Sequence, residues 1–257
     1  MAEPLKCEIQ DGIALLTLDR PETHNALGHT ESAEAFEAVG ARLNADDSVR
    51  AAILTGAGKS FSAGGDLRAM RAVLDLEPAA IAETYRRGIQ RVPRAMLSIR
   101  VPTIAAVNGA AIGAGLDLAC TCDIRLASDQ ARFAESFVKL GLVPGDGGAW
   151  LLPRVVGVSK AAELALTGDT IDAAEAARIG LVSRIVPAGS LLEEAFALAR
   201  RIAANPAIAV RATKRLLREG ATQSLEANLE LAAALQALCH KTDENRAAIE
   251  SFLSRSK

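Results

Sequence analysis

Aromatic side chains are scarce in this 257-residue chain, at 3% of the residues, although hydrophobic residues as a whole make up 50%. Packing must therefore depend on Ala, Leu, Val and Ile. A chain of this length can bury a sizeable core within one large domain or within a core that carries a small appendage. Neither sign of charge is in excess, since 29 Lys and Arg stand against 31 Asp and Glu. This balance argues against nucleic acid or an anionic membrane as the main partner.

Long uninterrupted apolar runs are also missing. The longest apolar stretch, 101–120, is broken by Pro102, Asp117 and several glycines, so it does not predict a membrane span. The N-terminus lacks the charged and then apolar layout of a secretory signal peptide. Cysteines number only four, and Cys120 and Cys122 are too close together for a zinc knuckle and have no His nearby. We expect buried thiols, no metal site and a cytoplasmic protein.

The first half of the sequence predicts strands alternating with helices. Apolar-rich runs at Leu5–Gln10 and Ile13–Asp19 surround Asp11–Gly12, a favoured two-residue turn, and so predict a β-hairpin. The amphipathic run Ile81–Leu97 predicts a long helix that is interrupted late by Pro93.

Beyond Gly148 the pattern changes to helices alone. Helical spacing covers Ser159–Thr167, Ala173–Ile179, Leu191–Ala204, Ala207–Glu219 and Leu225–Cys239. Mixed elements first and helices afterwards predict an α/β core followed by an α-helical region. We place the boundary near residue 195, which gives a core at 1–195 and a C-terminal region at 196–257.

Familiar catalytic patterns are incomplete in this sequence. The run Gly56–Ser60 ends in Gly-Lys-Ser like a phosphate-binding loop, but Ile53 stands where that loop requires its first glycine. Ser62 lacks the preceding glycine of a hydrolase nucleophile elbow. None of the three histidines has a convincing partner for a catalytic triad. Nucleotide binding and serine-hydrolase chemistry are therefore disfavoured.

Two glycine-rich junctions, at 55–66 and 105–117, each lead from a strand through a turn into a helix. Such junctions leave backbone N–H groups free at the start of the helix. Two N–H groups that converge on one oxygen form an oxyanion hole. The alternative is that these glycines only permit tight turns and close packing, and spacing alone does not decide between the two.

Both junctions resemble motifs of the crotonase superfamily, which contains the enoyl-CoA hydratases and isomerases. Phe61–Asp66 is similar to the family's FxAGxD segment, and the run from Asn108 to Gly115 is similar to its NGxAxGxG segment. Further similar segments are Leu18–Pro21, Asn25–Leu27, Cys122–Asp123, Leu166–Gly168 and Gly180–Val182. Their order and spacing also match, so the resemblance extends over essentially the whole chain.

The resemblance implies a fold, a substrate class and an assembly. The fold would be an α/β spiral of ββα units with a C-terminal α-helical region used in oligomerisation. The substrate would be an acyl-CoA thioester, with coenzyme A as part of the substrate and no separate cofactor. The assembly would be a homotrimer or a dimer of trimers.

The resemblance also implies a set of site residues. The backbone N–H groups of Gly65 and Ala114 would donate to the thioester oxygen, although Ala114 stands where the family usually has Gly. The implied CoA-binding residues are His24, Ala26, Ala63, Gly64, Asp66, Phe252 and Lys257. Asp66 is also a candidate N-cap for the helix that begins at Leu67.

The sequence departs from the hydratase pattern at one of two acidic positions. Hydratases of the family place two glutamates on opposite sides of the thioester, where they activate a water molecule. Here the first position is Asp117 and the second is Phe137, which cannot transfer a proton. The nearby Asp146 lies in a turn that carries an aspartate, one position earlier, in isomerase-like relatives. Glu135 is a second choice, because it lies two residues from the family position.

Three functions remain open from the sequence. The leading expectation is double-bond isomerisation of an enoyl-CoA, with Asp146 or Asp117 as the proton shuttle. The second is an enoyl-CoA hydratase that uses Asp117 together with Asp146. The third is a non-catalytic acyl-CoA-binding protein that keeps the fold.

Overall fold

The computed structural model describes residues 3–28 and 30–255. The larger sheet is built from β1 (Leu5–Gln10), β2 (Ile13–Leu18), β3 (Ala51–Gly56), β5 (Thr103–Val107), β7 (Ile124–Ser128) and β10 (Arg184–Val186), in that spatial order. The smaller sheet is built from β4 (Ser60–Ser62), β6 (Ala110–Ile112), β8 (Arg132–Ala134) and β9 (Thr170–Asp172), again in that order.

Helices separate and follow these strands. The helices that begin before residue 150 are α1 (Thr30–Ala45), α2 (Leu67–Ala72), α3 (Pro78–Arg87), α4 (Arg91–Ser98), α5 (Ala114–Thr121) and α6 (Gly148–Val156). The later helices are α7 (Val158–Thr167), α8 (Ala173–Arg178), α9 (Leu191–Ala203), α10 (Ala207–Gly220), α11 (Leu225–Cys239) and α12 (Asp243–Arg255). Short 3-10 turns lie at Pro21–Thr23, Ser136–Leu140 and Ala188–Ser190.

The predicted hairpin is confirmed. Strand β1 pairs antiparallel with β2 around a turn in which Asp11 and Gly12 both have positive φ, as this turn type requires. From β2 onward the larger sheet is parallel. The successive pairings of β4 with β6 and of β6 with β8 are also parallel. Strands β3, β5 and β7 of the larger sheet are each followed by a strand of the smaller one, which is the repeated ββα arrangement that the resemblance implies. Because β9 and β10 lie beyond Gly148, the prediction of helices alone in that part of the chain is wrong.

Both faces of the larger sheet are covered. Every residue of β3 and β5 is buried, which accounts for their largely apolar composition. One face packs on α9, whose Leu191, Ala195 and Ala199 are buried in a cluster with sheet residues. Since α9 runs through residue 195, the boundary that we place there falls inside a helix packed on the core.

The predicted long helix at 81–97 is wrong in one respect. Two helices occupy this stretch, and the chain breaks at Gly88, with φ −107° and ψ −111°, rather than at Pro93. Pro93 lies in the first turn of α4, where its backbone nitrogen needs no helical acceptor, so it is compatible with the helix. The break separates α3 from α4, and α3 forms part of the candidate site described below.

The C-terminal helices expose much apolar surface in the single chain. Helix α11 buries none of its residues, and its Leu225, Leu229 and Leu238 are exposed. Helix α10 is anchored to the core by Lys214, which donates to the Val101 carbonyl at 2.6 Å and pairs with Asp123 at 2.8 Å. Within the described residues, no helix combines the length and apolar character needed to cross a membrane.

Asn25 holds the first loop of the fold in place, and its replacement tests that role. Its buried side-chain nitrogen donates to the Ala57 and Ser60 carbonyls, both at 2.9 Å, and its own φ is 58°. We expect Asn25→Ala to lower the free energy of unfolding by about 2–3 kcal/mol, because buried carbonyls lose their donor and alanine disfavours this φ. Urea unfolding measures the change. Asn44→Ala, which removes two solvent-exposed hydrogen bonds, should cost less than about 1 kcal/mol, and equal losses would contradict this role.

Candidate active site

The two glycine-rich turns lie against each other. Gly64 has φ 87°, and a Cβ atom at this position would overlap the Ile112 carbonyl oxygen and lie 3.3 Å from the Ala114 nitrogen. Only glycine fits such a left-handed backbone at such a close approach. The turn that follows β4 is thereby held beside the first residue of α5, so the requirement for glycine here is structural and also positions the site.

Two backbone N–H groups are available at this junction. Ala114 is the first residue of α5, where an N–H has no acceptor within the helix. Gly65 forms a bridge with Leu27, but the bonds of that bridge are donated by Leu27 and Asp66. In the described part of the chain, neither Gly65 nor Ala114 donates a backbone hydrogen bond. Both groups can therefore donate to an oxygen of a bound molecule.

The loop at 24–27 is bonded to the loop at 63–66. Ala63 N–H donates to the His24 carbonyl at 2.9 Å, and Leu27 N–H donates to the Gly64 carbonyl at 2.7 Å. His24 Nδ1 also lies 3.3 Å from Ser60 Oγ. The predicted CoA-binding residues His24, Ala26, Ala63, Gly64 and Asp66 therefore lie on two loops that are bonded to each other beside the two free N–H groups.

Asp66 is the N-cap of α2, as the sequence predicts. Its side chain accepts hydrogen bonds from Arg68 N–H at 2.7 Å and Ala69 N–H at 3.4 Å. The other two predicted CoA contacts are far along the chain. Phe252 lies on α12 with 74% of its surface exposed, and Lys257 lies outside the described residues.

A small cavity opens beside Gly65. Its polar lining includes Asp146 and Tyr85, and its apolar wall includes Phe137 together with residues of α2 and the segments beside it. Gln90 donates to the Gly145 carbonyl at 2.8 Å and so ties the turn that carries Asp146 to the segment between α3 and α4. Asp146 and Gly65 therefore face one space, as two parts of one reaction site would.

Behind this cavity lies a cluster of three buried carboxyl groups. Asp117, Glu135 and Asp146 are exposed by 2%, 1% and 5% respectively. A Cβ atom at Gly148 would overlap Asp117 Oδ1 and Glu135 Oε1, so both oxygens point at the same spot. The Gly148 N–H, at the start of α6, donates to Asp117 Oδ2 at 3.0 Å. Four other oxygens of the cluster have no hydrogen-bond partner in the described residues, namely Asp117 Oδ1, Glu135 Oε1 and Oε2, and Asp146 Oδ1.

Burial and mutual repulsion keep protons on this cluster. Burial raises the pKa of Asp146 to about 6, although its own backbone and then the neighbouring Asp117 side chain oppose the shift. Burial, aided by the charge of Asp146, raises the pKa of Glu135 to about 8. The pKa of Asp117 is raised well above its usual range by burial and then by Glu135 and Asp146. All three shifts favour the protonated form, and the pKa of Asp146, which lines the cavity, remains below that of Glu135.

Two members of this site carry little signal in the sequence. Glu135 directly follows Phe133 and Ala134, which are both buried. An acidic residue at the end of a short apolar strand is the clue that the sequence offers. Tyr85 is more obscure, because it reads as one residue of an amphipathic helix. In the structure the Tyr85 ring lies 3.2 Å from the point that a Cβ atom added at Gly145 would occupy. Burial, followed by the charge of Asp146, raises the pKa of Tyr85.

Metal coordination has no counterpart in this geometry. In the described ranges, no three His, Cys, Asp or Glu side chains are arranged to hold a metal ion. The buried thiols predicted at Cys120 and Cys122 are confirmed as free and buried, and burial raises the pKa of Cys122 to about 11. These thiols are thus packing residues.

Known proteins resemble this chain over nearly its full length. The sequence profile of the family described as "Enoyl-CoA hydratase/isomerase" matches residues 8–257. A "Probable enoyl-CoA hydratase" of Rhodobacter capsulatus is 38% identical over 252 residues, which cover 98% of this chain and 95% of the relative. A "1,2-epoxyphenylacetyl-CoA isomerase" of Escherichia coli is 34% identical over 262 residues, covering 99% and 97%. The crystal structure of a putative enoyl-CoA hydratase from Streptomyces coelicolor A3(2) superposes with a TM-score of 0.91 at 40% identity, covering 98% of this chain and 92% of that one.

Proposed function

The chain belongs to the enoyl-CoA hydratase/isomerase family, and from this premise we propose that it moves the double bond of an enoyl-CoA thioester, with Asp146 as the proton shuttle. The thioester oxygen would accept hydrogen bonds from the Gly65 and Ala114 N–H groups. CoA would lie along the surface formed by the loops at 24–27 and 63–66.

The proposed reaction conserves atoms and protons. Ionised Asp146 removes a proton from C2 of a 3-enoyl-CoA, and the electron pair left behind delocalises onto the thioester oxygen as a dienolate. The two N–H groups stabilise that oxygen as its charge develops. Asp146, now protonated, returns the proton to C4, which leaves the double bond between C2 and C3. One base serves both steps, so no second acid is required.

The shared cavity of Gly65, Phe137 and Asp146 is the observation that carries this proposal. An ionisable carboxylate faces the same space as an available N–H, while the apolar Phe137 ring lies where the family resemblance implies a second glutamate. The pKa of about 6 at Asp146 supports its role as a base, because a catalytic base works best with a pKa near the operating pH.

The C-terminal helices support the proposed assembly of the chain into a homotrimer or a dimer of trimers. Helix α11 has exposed leucines that a single chain leaves uncovered. An apolar helix face of this kind is stabilised when another protein surface covers it.

Hydration is the second candidate, and the names of the relatives favour it. Several of them are called enoyl-CoA hydratases. A hydratase would use neutral Asp117 as the acid and Asp146 as the base for water, as two opposed carboxyl groups can. The third candidate is an acyl-CoA-binding protein without turnover.

Purified protein assayed on crotonyl-CoA and on 3-enoyl-CoAs separates these candidates. Faster isomerisation than hydration, lost with Asp146→Ala, supports the proposal. Fast hydration that survives Asp146→Ala contradicts it and favours the hydratase. Bound acyl-CoA with no turnover, whether or not Asp117 and Asp146 are replaced by Ala, indicates the binding protein.

Phe137 offers a gain-of-function test of the same idea. We expect Phe137→Glu to raise the rate of crotonyl-CoA hydration by at least about tenfold, since an added acid–base group contributes about 10²–10⁴-fold when well placed. Burying the new carboxyl will offset part of that gain. Absorbance of the enoyl thioester follows the reaction, with Phe137→Gln as the isosteric control that cannot transfer a proton. Equal hydration rates in the two variants would show that Phe137 does not limit hydration.

A further inference from the structure

We propose that Glu135 is a positioning residue, whose protonated side chain adds no charge beside Asp117 and so leaves the Asp117 proton directed at Asp146. The proposal rests on the proposed function, in which Asp146 is the base that meets the substrate. It assigns a role to a carboxyl group that does not line the reaction cavity.

The placement of Glu135 is the first support. It follows β8 directly, is only 1% exposed, and neither of its side-chain oxygens has a hydrogen-bond partner in the described residues. A buried carboxylate without a donor is strongly disfavoured, whereas a protonated carboxyl group can donate a hydrogen bond to the neighbour that it meets. The neighbour is Asp117, because a Cβ atom added at Gly148 would meet oxygens of both Asp117 and Glu135.

The surroundings of Glu135 give the second support. The titratable groups that act on it are Asp117 of α5 and Asp146 of the turn before α6. Glu135 in turn acts on Cys120 of α5, and Asp146 acts on Tyr85 of α3. In the described part of the chain, no cation contributes to the pKa of Glu135. Arg125 acts on Cys120 but is not among the groups that shift the pKa of Glu135. Protons retained on the carboxyl groups therefore reduce the repulsion within the cluster.

The proton on Glu135 has a direct consequence for Asp146. A neutral Asp117 can donate a hydrogen bond to ionised Asp146, and that bond opposes the upward pKa shift caused by burial. If Glu135 ionises, the Asp117 proton is drawn towards it, and a second negative charge enters the buried cluster. That charge opposes formation of the dienolate, which is itself negative. Turnover is therefore expected to fall when Glu135 ionises, with little change in substrate binding.

Glu135→Gln tests this role through the pH dependence of kcat. For the wild type we expect kcat for isomerisation to fall at least fivefold between pH 7 and pH 9, around the pKa of about 8 at Glu135. Gln cannot ionise, so the variant should lose that fall while KM changes less than twofold. Glu8→Gln, at an exposed position of β1, is the control with the same change of charge and should keep the wild-type profile. Cys120 and Tyr85 have raised pKa values and ionise at higher pH than Glu135.

An alkaline fall that persists unchanged in Glu135→Gln would overturn the proposal, and so would a loss confined to KM. Infrared titration of the protein without substrate gives an independent result, which also covers a variant that folds poorly. The wild type should show a carboxylic acid signal that disappears between pH 7 and pH 9 and is assigned to Glu135 by labelling. A Glu135 side chain already ionised at pH 6 would refute this role, whatever Asp146→Asn does to activity. Conversely, full activity of Asp146→Asn would refute the proposed function, while the infrared titration of the wild type would still test the protonation of Glu135.

Discussion

Replacing Asp146 by Asn is expected to lower kcat for 3-enoyl-CoA isomerisation by about 10²–10⁴-fold, the usual contribution of a positioned acid–base group. Asn fills the same volume in the turn before α6 and cannot accept the C2 proton. KM should change little, because the CoA contacts proposed on the loops at 24–27 and 63–66 are separate from this side chain. Steady-state kinetics with a 3-enoyl-CoA measures both parameters.

The pH profile gives this prediction a second readout. Asp146 must be ionised to act as a base, so wild-type kcat/KM should fall about tenfold per pH unit below its pKa of about 6. The residual activity of Asp146→Asn should lack that fall. Asp169→Asn, an exposed site near Lys139, is the control and should behave as the wild type. If the Asp146→Asn variant keeps the wild-type kcat, Asp146 does not take part in the reaction.

Replacing Ala114 by Pro is expected to lower kcat by about 10²–10³-fold, because it removes one hydrogen-bond donor from the oxyanion hole. Ala114 is the first residue of α5, the helical position at which proline is best tolerated. The preceding Gly113 imposes no Cβ clash on the proline ring. The fold should therefore survive a change that deletes a single backbone N–H.

Ala114→Gly is the matched control for this substitution. It keeps the N–H and restores the residue that the family usually has, so kcat should stay within a few-fold of the wild type. Thermal unfolding of both variants checks that α5 remains folded. If Ala114→Pro unfolds with the wild type and also keeps wild-type kcat, the Ala114 N–H is not a donor to the thioester oxygen.

Local rules predict much of the fold from the sequence. The Asp11–Gly12 turn and the largely apolar strands β3 and β5 follow from backbone preference and burial alone. Helix α6 was harder to predict, because it contains Pro153 and begins at two glycines. The break at Gly88 is not predicted by the sequence either, since the apolar spacing continues through it and the tertiary position of α3 decides where the chain turns.

Residues of the candidate site also differ in how far the sequence predicts them. Gly64 and Gly65 stand out in the sequence, because glycine-rich turns before helices are few and the family motif covers them. Glu135 does not stand out, since its role depends on Asp117 and Gly148, which are distant in sequence and meet it only in the folded chain. Which carboxyl group keeps its proton likewise depends on burial and on neighbours, and sequence spacing contains neither.

The central claim is that one carboxylate moves a proton between two carbons of the substrate. Nuclear magnetic resonance of the product from a 3-enoyl-CoA deuterated at C2 tests this most directly. Our account predicts a 2-enoyl-CoA with part of the deuterium at C4, formed by the wild type and lost with Asp146→Asn. A 3-hydroxyacyl-CoA as the main product, formed equally well by both proteins, would contradict it.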